Sequence, residues 1–201
     1  MAGKRRKKRK EKKRIIVLFT ALLLVCSLMA AAVYFIDRFI EEKTYKLDYK
    51  EEVLEYANKY ELDPVLVFSI MHCESGGDKE AVSIKGAKGL MQIMPETGEW
   101  IAHKLNIENY TEDMLLDQNI NIEMGCWYLN FLKSRFDDVF VNYVAAYNAG
   151  HGKVESWLKD ERYSKGGVLA DIPYLETREY VVRVENAMEK YGEIYEAELD
   201  K

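Results

Sequence analysis

Proline, cysteine and histidine each occur only three times in the 201 residues. So little proline argues against a collagen-like or disordered chain, and with Tyr, Leu, Glu and Lys plentiful the composition leans helical. His72, His103 and His151 are scattered and follow no metal-binding spacing, so neither metal nor cofactor is expected. No internal repeat is present, no low-complexity stretch beyond one basic arm, and alternating apolar and polar runs are short. What is there is 48% hydrophobic and 31% charged. That is room for one globular domain with extensions.

The formal charge of −5 hides an asymmetry. Ten of the 29 Lys and Arg lie in residues 1–14 against a single Glu11, leaving 19 basic and 33 acidic residues, a net −14, in the remainder. A basic arm is a candidate nucleic-acid contact. Residues 15–36, however, follow it with 22 positions free of charge. At about 1.5 Å per residue such a helix spans a hydrocarbon core of roughly 30 Å. Cations precede the run, and Asp37, Glu41 and Glu42 follow it. The positive-inside rule therefore keeps the N-terminus in the cytoplasm and puts residues 37–201 outside. The arm is then a topogenic signal, the partner is the cytoplasmic membrane, and no nucleic acid is expected.

A cleaved signal peptide is the competing reading, because Ala30, Ala31 and Ala32 offer a small-residue cleavage site. Val33, Tyr34, Phe35 and Ile36 carry the apolar run past it and favour a retained, single-pass anchor. The expected organisation is a basic cytoplasmic tail (1–14), a transmembrane helix (15–36), a charged stalk able to continue it (37–48) and an outer domain (49–201). Cys26 falls inside the span; Cys73 and Cys126 lie outside and sit in helical apolar contexts. Two buried thiols are favoured there, and a disulfide needs Cα atoms within about 7 Å.

The outer domain reads as all-α. A first helix is expected over residues 49–60, with Val53, Leu54 and Ala57 on one side. Asp63 as N-cap and Pro64 at the first helical position open a second, apolar almost all round and therefore buried, which Ser75, Gly76 and Gly77 end. A glycine-punctuated segment covers 78–89, and Pro95 restarts a helix through Trp100 and Ile101. Further helices are expected over 119–136, over 139–149 with a stop at Gly150, and over 175–191 with Tyr180, Val184, Ala187, Met188 and Tyr191 on one face.

Glu74 is the anomaly, a carboxyl closing an apolar helix on the face of Val67, Ile70 and Met71. Partly shielded from water, it has its charged form disfavoured and its pKa raised. A carboxylic acid protonated near neutral pH is what a departing glycosidic oxygen requires. The bland alternative is a solvated glutamate at a helix end. Gly86-Ala87-Lys88-Gly89 brings backbone into a tight loop before Leu90-Met91-Gln92, where Gln92 both donates and accepts hydrogen bonds. Tyr147 and Asn148 end a helix just before Gly150, and Glu176 shares a face with Tyr180 one turn on. Each of these, taken singly, has an ordinary structural explanation.

Together they resemble a family. Glu74-Ser75-Gly76-Gly77, Gly89-Leu90-Met91-Gln92-Ile93-Met94-Pro95-Glu96-Thr97, Ala146-Tyr147-Asn148-Ala149-Gly150 and Ile172-Pro173-Tyr174-Leu175-Glu176-Thr177-Arg178-Glu179-Tyr180-Val181 follow in order. They are similar to the catalytic domain of soluble lytic transglycosylases, related to goose-type lysozymes, over about residues 49–192. The resemblance implies a lysozyme-like helical domain acting on peptidoglycan glycan strands. Glu74 would be its sole catalytic acid and base, and Ser75 would help position it. Met91 and Gln92 would line the cleft, Tyr147 and Asn148 would contact substrate, and Glu176 and Tyr180 would complete the site. It also implies cleavage between N-acetylmuramic acid and N-acetylglucosamine without water, leaving a 1,6-anhydro end. A water-using muramidase and a non-catalytic glycan-binding scaffold are the alternatives. His151, where such domains often carry Pro, and Cys73 depart from the pattern without touching the proposed acid.

Overall fold

No proline or glycine occurs between Gly3 and Pro64, and the first helix, α1 (Ala2–Thr44), runs unbroken through the expected tail and span and into the stalk. The computed structural model describes residues 2–199. Met1, Asp200 and Lys201, at the outer ends of the expected tail and outer domain, lie outside the described residues, as do the side chains of residues 2–8, 11, 16, 196 and 197. Two units emerge, Met1–Thr44 and Tyr45–Lys201. Within the first, the Lys12–Thr44 portion reaches a mean hydropathy of 2.7 with none of that window buried, so by length and composition it is able to cross a membrane. Leu18, Phe19 and Phe35 stand exposed along it, a large apolar surface that marks a contact face rather than a water-facing one.

The second unit is helical, with one two-residue hairpin as its only ladder of named strands among the described residues. Helix α2 (Lys50–Lys59) buries Val53 and Ala57, one turn apart. Helix α3 (Pro64–Ser75) starts as its sequence dictates. The Asp63 carboxylate accepts the Val65 N–H at 2.8 Å, Pro64 takes the first position, and Gly76 at φ 64° closes the end. All residues from Leu66 to Met71 are buried, which makes α3 the central helix. Helix α8 (Leu175–Leu199) packs along it through Tyr180, Val184, Ala187 and Tyr191, and it continues two turns beyond the expected end.

Helix α4 (Pro95–Leu105) precedes a 3₁₀ turn (Glu112–Leu116) and α5 (Gln118–Arg135), which Asp117 caps by accepting the Ile120 N–H at 3.1 Å. Helix α6 (Phe140–Ala149) is followed at once by α7 (His151–Leu158), with Gly150 as the hinge at φ 86°. The sequence reading anticipated the stop at Gly150 but not α7, the 3₁₀ turn or the hairpin of β1 (Ser164–Lys165) and β2 (Val168–Leu169). That hairpin is held by buried Asn142, whose amide donates to the Gly167 carbonyl and whose oxygen accepts the Leu169 N–H. Cys73 and Cys126 are both free thiols.

Between α3 and α4 the chain forms a knot of turns stitched by bridges Val82–Lys88 and Lys88–Ile93. Buried Asn121 of α5 anchors it. Its oxygen accepts the Met91 N–H at 2.7 Å, and its amide donates to the Lys88 and Leu115 carbonyls at 3.0 and 2.7 Å. Gly89 has to be glycine here. It adopts φ 76°, and a Cβ would lie 2.2 Å from the Leu115 carbonyl oxygen.

Candidate active site

Glu74 occupies the last turn of α3, where the apolar stripe meets the αL turn at Gly76. Its carboxyl opens into a cavity of about 330 Å³ lined also by Ser83, Ile84, Lys85, Ala87, Gln92, Met94, Tyr147, Asn148 and Glu176. A second depression, of about 240 Å³, shares Gln92, Met94, Tyr147 and Asn148 and extends past Thr97, Tyr128 and Gly150. The two share one wall and together make a groove, with Glu74 lining the first of them, a shape suited to a chain-like ligand.

Burial is the main influence on the Glu74 carboxyl, lifting it from the ordinary 4.5 to about 7. The Tyr180 hydroxyl and the Arg183 guanidinium pull it down, and the Glu176 carboxylate pushes it up. Tyr180 is fully buried behind the acid, and its hydroxyl meets no strict hydrogen-bond geometry. Its proximity to Glu74 nevertheless favours the charged form of the acid. The Cys73 thiol is raised to about 11, chiefly by burial, which leaves it a poor nucleophile.

Tyr147 is fixed by donating its hydroxyl to the Met91 carbonyl at 2.8 Å. Burial, with the Glu74 charge, raises its pKa well above the ordinary tyrosine value, so it stays a neutral phenol. Asn148 accepts a hydrogen bond from the Thr177 hydroxyl at 2.8 Å, which ties α6 to α8 beside the cavity. The Gln92 amide donates to the Ala81 and Gly89 carbonyls at 3.1 and 2.9 Å, and its backbone takes φ 46° to do so.

Five of the expected residues, Glu74, Gln92, Tyr147, Asn148 and Glu176, therefore meet at one cavity. Three do not line it. The Met91 side chain is fully buried against Gly125, where a Cβ would lie 2.1 Å from the sulfur; Met91 serves the site through its backbone. Tyr180 backs the acid instead of facing the groove, because it lies on the buried stripe of α8. Ser75 closes the helix end, its hydroxyl donating to the Met71 carbonyl at 3.3 Å and accepting the Gly77 N–H at 3.1 Å. Sequence reading missed Ser83, Ile84 and Lys85 on the wall, Asn121 and Thr177 behind it, and Arg183 beside the acid. The turn at Gly86 was the available signal for the first three.

The profile of the transglycosylase SLT domain matches residues 51–167, more than half of the chain and all of the groove except Glu176. The chain belongs to the transglycosylase SLT domain family. Among curated members, the soluble lytic murein transglycosylase of Escherichia coli is 34% identical over 146 residues, covering 71% of this chain and 23% of that protein. A membrane-bound lytic murein transglycosylase E of Buchnera aphidicola is 31% identical over 145 residues, covering 69% and 66%. Of the solved family structures, an inactive mutant of lytic transglycosylase Slt from Pseudomonas aeruginosa superposes with a TM-score of 0.69 at 31% identity, over 78% of this chain and 26% of that one. The 70-kDa soluble lytic transglycosylase of Escherichia coli gives 0.69 at 32% identity, over 76% and 25%. The fold is thus the lysozyme-like, all-α one of these enzymes. This chain spans about a quarter of the length of the first relatives it matches.

Proposed function

We propose that this chain is a peptidoglycan lytic transglycosylase, tethered to the membrane by α1, in which Glu74 is the only acid and base. The observation that carries the reading is a single half-buried carboxyl, raised to about 7, lining the groove. At pH 7 about half of it is protonated, whereas an ordinary glutamate is protonated only about once in 300. That proton goes to the glycosidic oxygen as the muramyl anomeric carbon parts from it. The resulting carboxylate then takes the proton of the muramyl 6-hydroxyl, which attacks the same carbon and closes the 1,6-anhydro ring. Water takes no part. Attack within one sugar needs no captured second reactant, a gain in proximity that makes a nucleophilic carboxylate unnecessary.

Tyr147 and Asn148, held by Met91 and Thr177, position the sugar beside Glu74, and Gln92 lines the same wall. Ser75, Met91 and Tyr180 act one step back, setting the helix end, the Tyr147 hydroxyl and the carboxyl. The length and apolarity of α1 support the tether, as do the membrane-bound names of several relatives. With the basic tail in the cytoplasm, one pass through the membrane leaves the groove on the wall side.

Glu176 faces the same cavity and favours a second reading, a muramidase in which it activates water. Masses of the products from purified wall decide between them. Products one water lighter than the hydrolytic ones are expected, and hydrolytic products alone would overturn the lytic reading. Glu74→Gln is expected to cut nothing; unchanged cleavage would remove Glu74 from its role.

A further inference from the structure

The turn from Ser83 to Gly86 closes on itself, with the Gly86 N–H donating to the Ser83 carbonyl and the Ala87 N–H to the Ser83 hydroxyl. It presents Ile84, fully exposed, and Lys85 at the cavity of Glu74. Lys85 is the only Lys or Arg among the lining residues, in a chain whose part beyond the basic arm is strongly acidic. Its ammonium lies 3.7 Å from the Glu176 carboxylate, and both side chains remain largely exposed, at 78% and 69%. Lys88, three residues on, shows what a committed lysine looks like in this loop. It is 14% exposed and sits 3.2 and 3.1 Å from Glu112 and Asp113. The Lys85 pair is longer and solvated, hence weak and exchangeable.

A wall glycan alternates two sugars that differ only at the 3-oxygen, which carries a lactyl ether in the muramyl sugar, so a groove that reads only the hydroxyl and acetamido groups they share cannot tell which bond it holds. Only the muramyl sugar bears a carboxylate, on its lactyl group directly or through the peptide attached there. We propose that Lys85 is a specificity-determining residue that binds this muramyl-borne carboxylate, exchanging its pairing with Glu176 for it. This rests on the lytic transglycosylase reading. It explains why an acidic domain keeps one cation on the wall of the Glu74 cavity, where that cation sets which bond lies at Glu74.

Binding to full-length Glu74→Gln protein in detergent scores Lys85 without requiring cleavage. The probes are a chitin oligosaccharide, stem-free muramyl strands and stem-bearing strands. Adding Lys85→Gln is expected to weaken binding of the muramyl strands about three-fold, the scale of one exposed charge contact, and to leave the chitin oligosaccharide unchanged. Lys85→Arg should restore most of the loss. A loss on stem-free strands alone assigns the lactyl carboxylate, a loss on stem-bearing strands alone assigns a peptide carboxylate, and a loss on both means that Lys85 takes whichever of the two the muramyl sugar bears. Equal losses on all three probes, or none on any, would overturn the proposal. If the protein with Glu74 intact cuts no strand while the muramyl-specific loss persists, the catalytic reading fails and the recognition stands.

Discussion

At the scale of residues, Glu74 is set by dryness more than by partners. The same desolvation that keeps its proton also costs stability once the carboxyl is charged. Its folded value of about 7 lies above the ordinary 4.5. Below about pH 4.5 the folded and unfolded states are both protonated, so the penalty vanishes there. It grows between 4.5 and 7 as only the unfolded chain ionises, and it levels off above, at a size on the order of 3 kcal/mol. Glu74→Gln should therefore raise Tm by roughly 5–10 °C at pH 8 and leave it unchanged at pH 4. Equal shifts at both pH values would refute the raised pKa. Activity limited by proton donation should fall as pH rises through about 7, measured as kcat/KM against pH.

At the scale of elements, the groove is held by a few polar side chains that periodicity does not reveal. Asn121 satisfies three backbone groups of the loop carrying Met91 and Gln92, and Gly125 gives Met91 its space. Asn121→Ala leaves those groups unpaired in a buried setting and is expected to cost about 2–4 kcal/mol in urea unfolding. Gly125→Ala should cost a comparable amount by pushing Met91 and, through its carbonyl, Tyr147 out of place. A large loss of activity at temperatures where the variant remains folded would mark the Tyr147 displacement. Normal stability and activity in both variants would mean the loop holds itself. The helices themselves were legible: α3 came from Asp63, Pro64 and a solid apolar run, and α6 ended at Gly150 as expected. Helix α7 was not, because only Val154 and Trp157 of its eight residues are buried and the pattern is too short to declare a face.

At the scale of the whole molecule, an apolar N-terminal helix precedes an acidic catalytic-family domain. The full chain is expected in alkali-washed membranes, and a chain lacking residues 1–44 in the soluble fraction. A mature protein starting at Val33 would instead mean that the helix is a removed signal. Because the region beyond the arm carries a net −14, long-range attraction to anionic wall polymers is weak. Strand affinity should depend only shallowly on salt, as a single Lys85 contact implies.

Order and spacing along the chain sufficed for the membrane-length run, the helical class and the motif residues Glu74, Gln92, Tyr147, Asn148 and Glu176, since each is written in local pattern. Only the tertiary structure decided which of the motif residues face the groove. Met91 and Tyr180 turned inward because their helix and loop faces are claimed by the core. It also brought Lys85, Thr177 and Asn121 to the site from segments far apart in sequence. A side chain's direction depends on what packs against it, and no spacing rule carries that information.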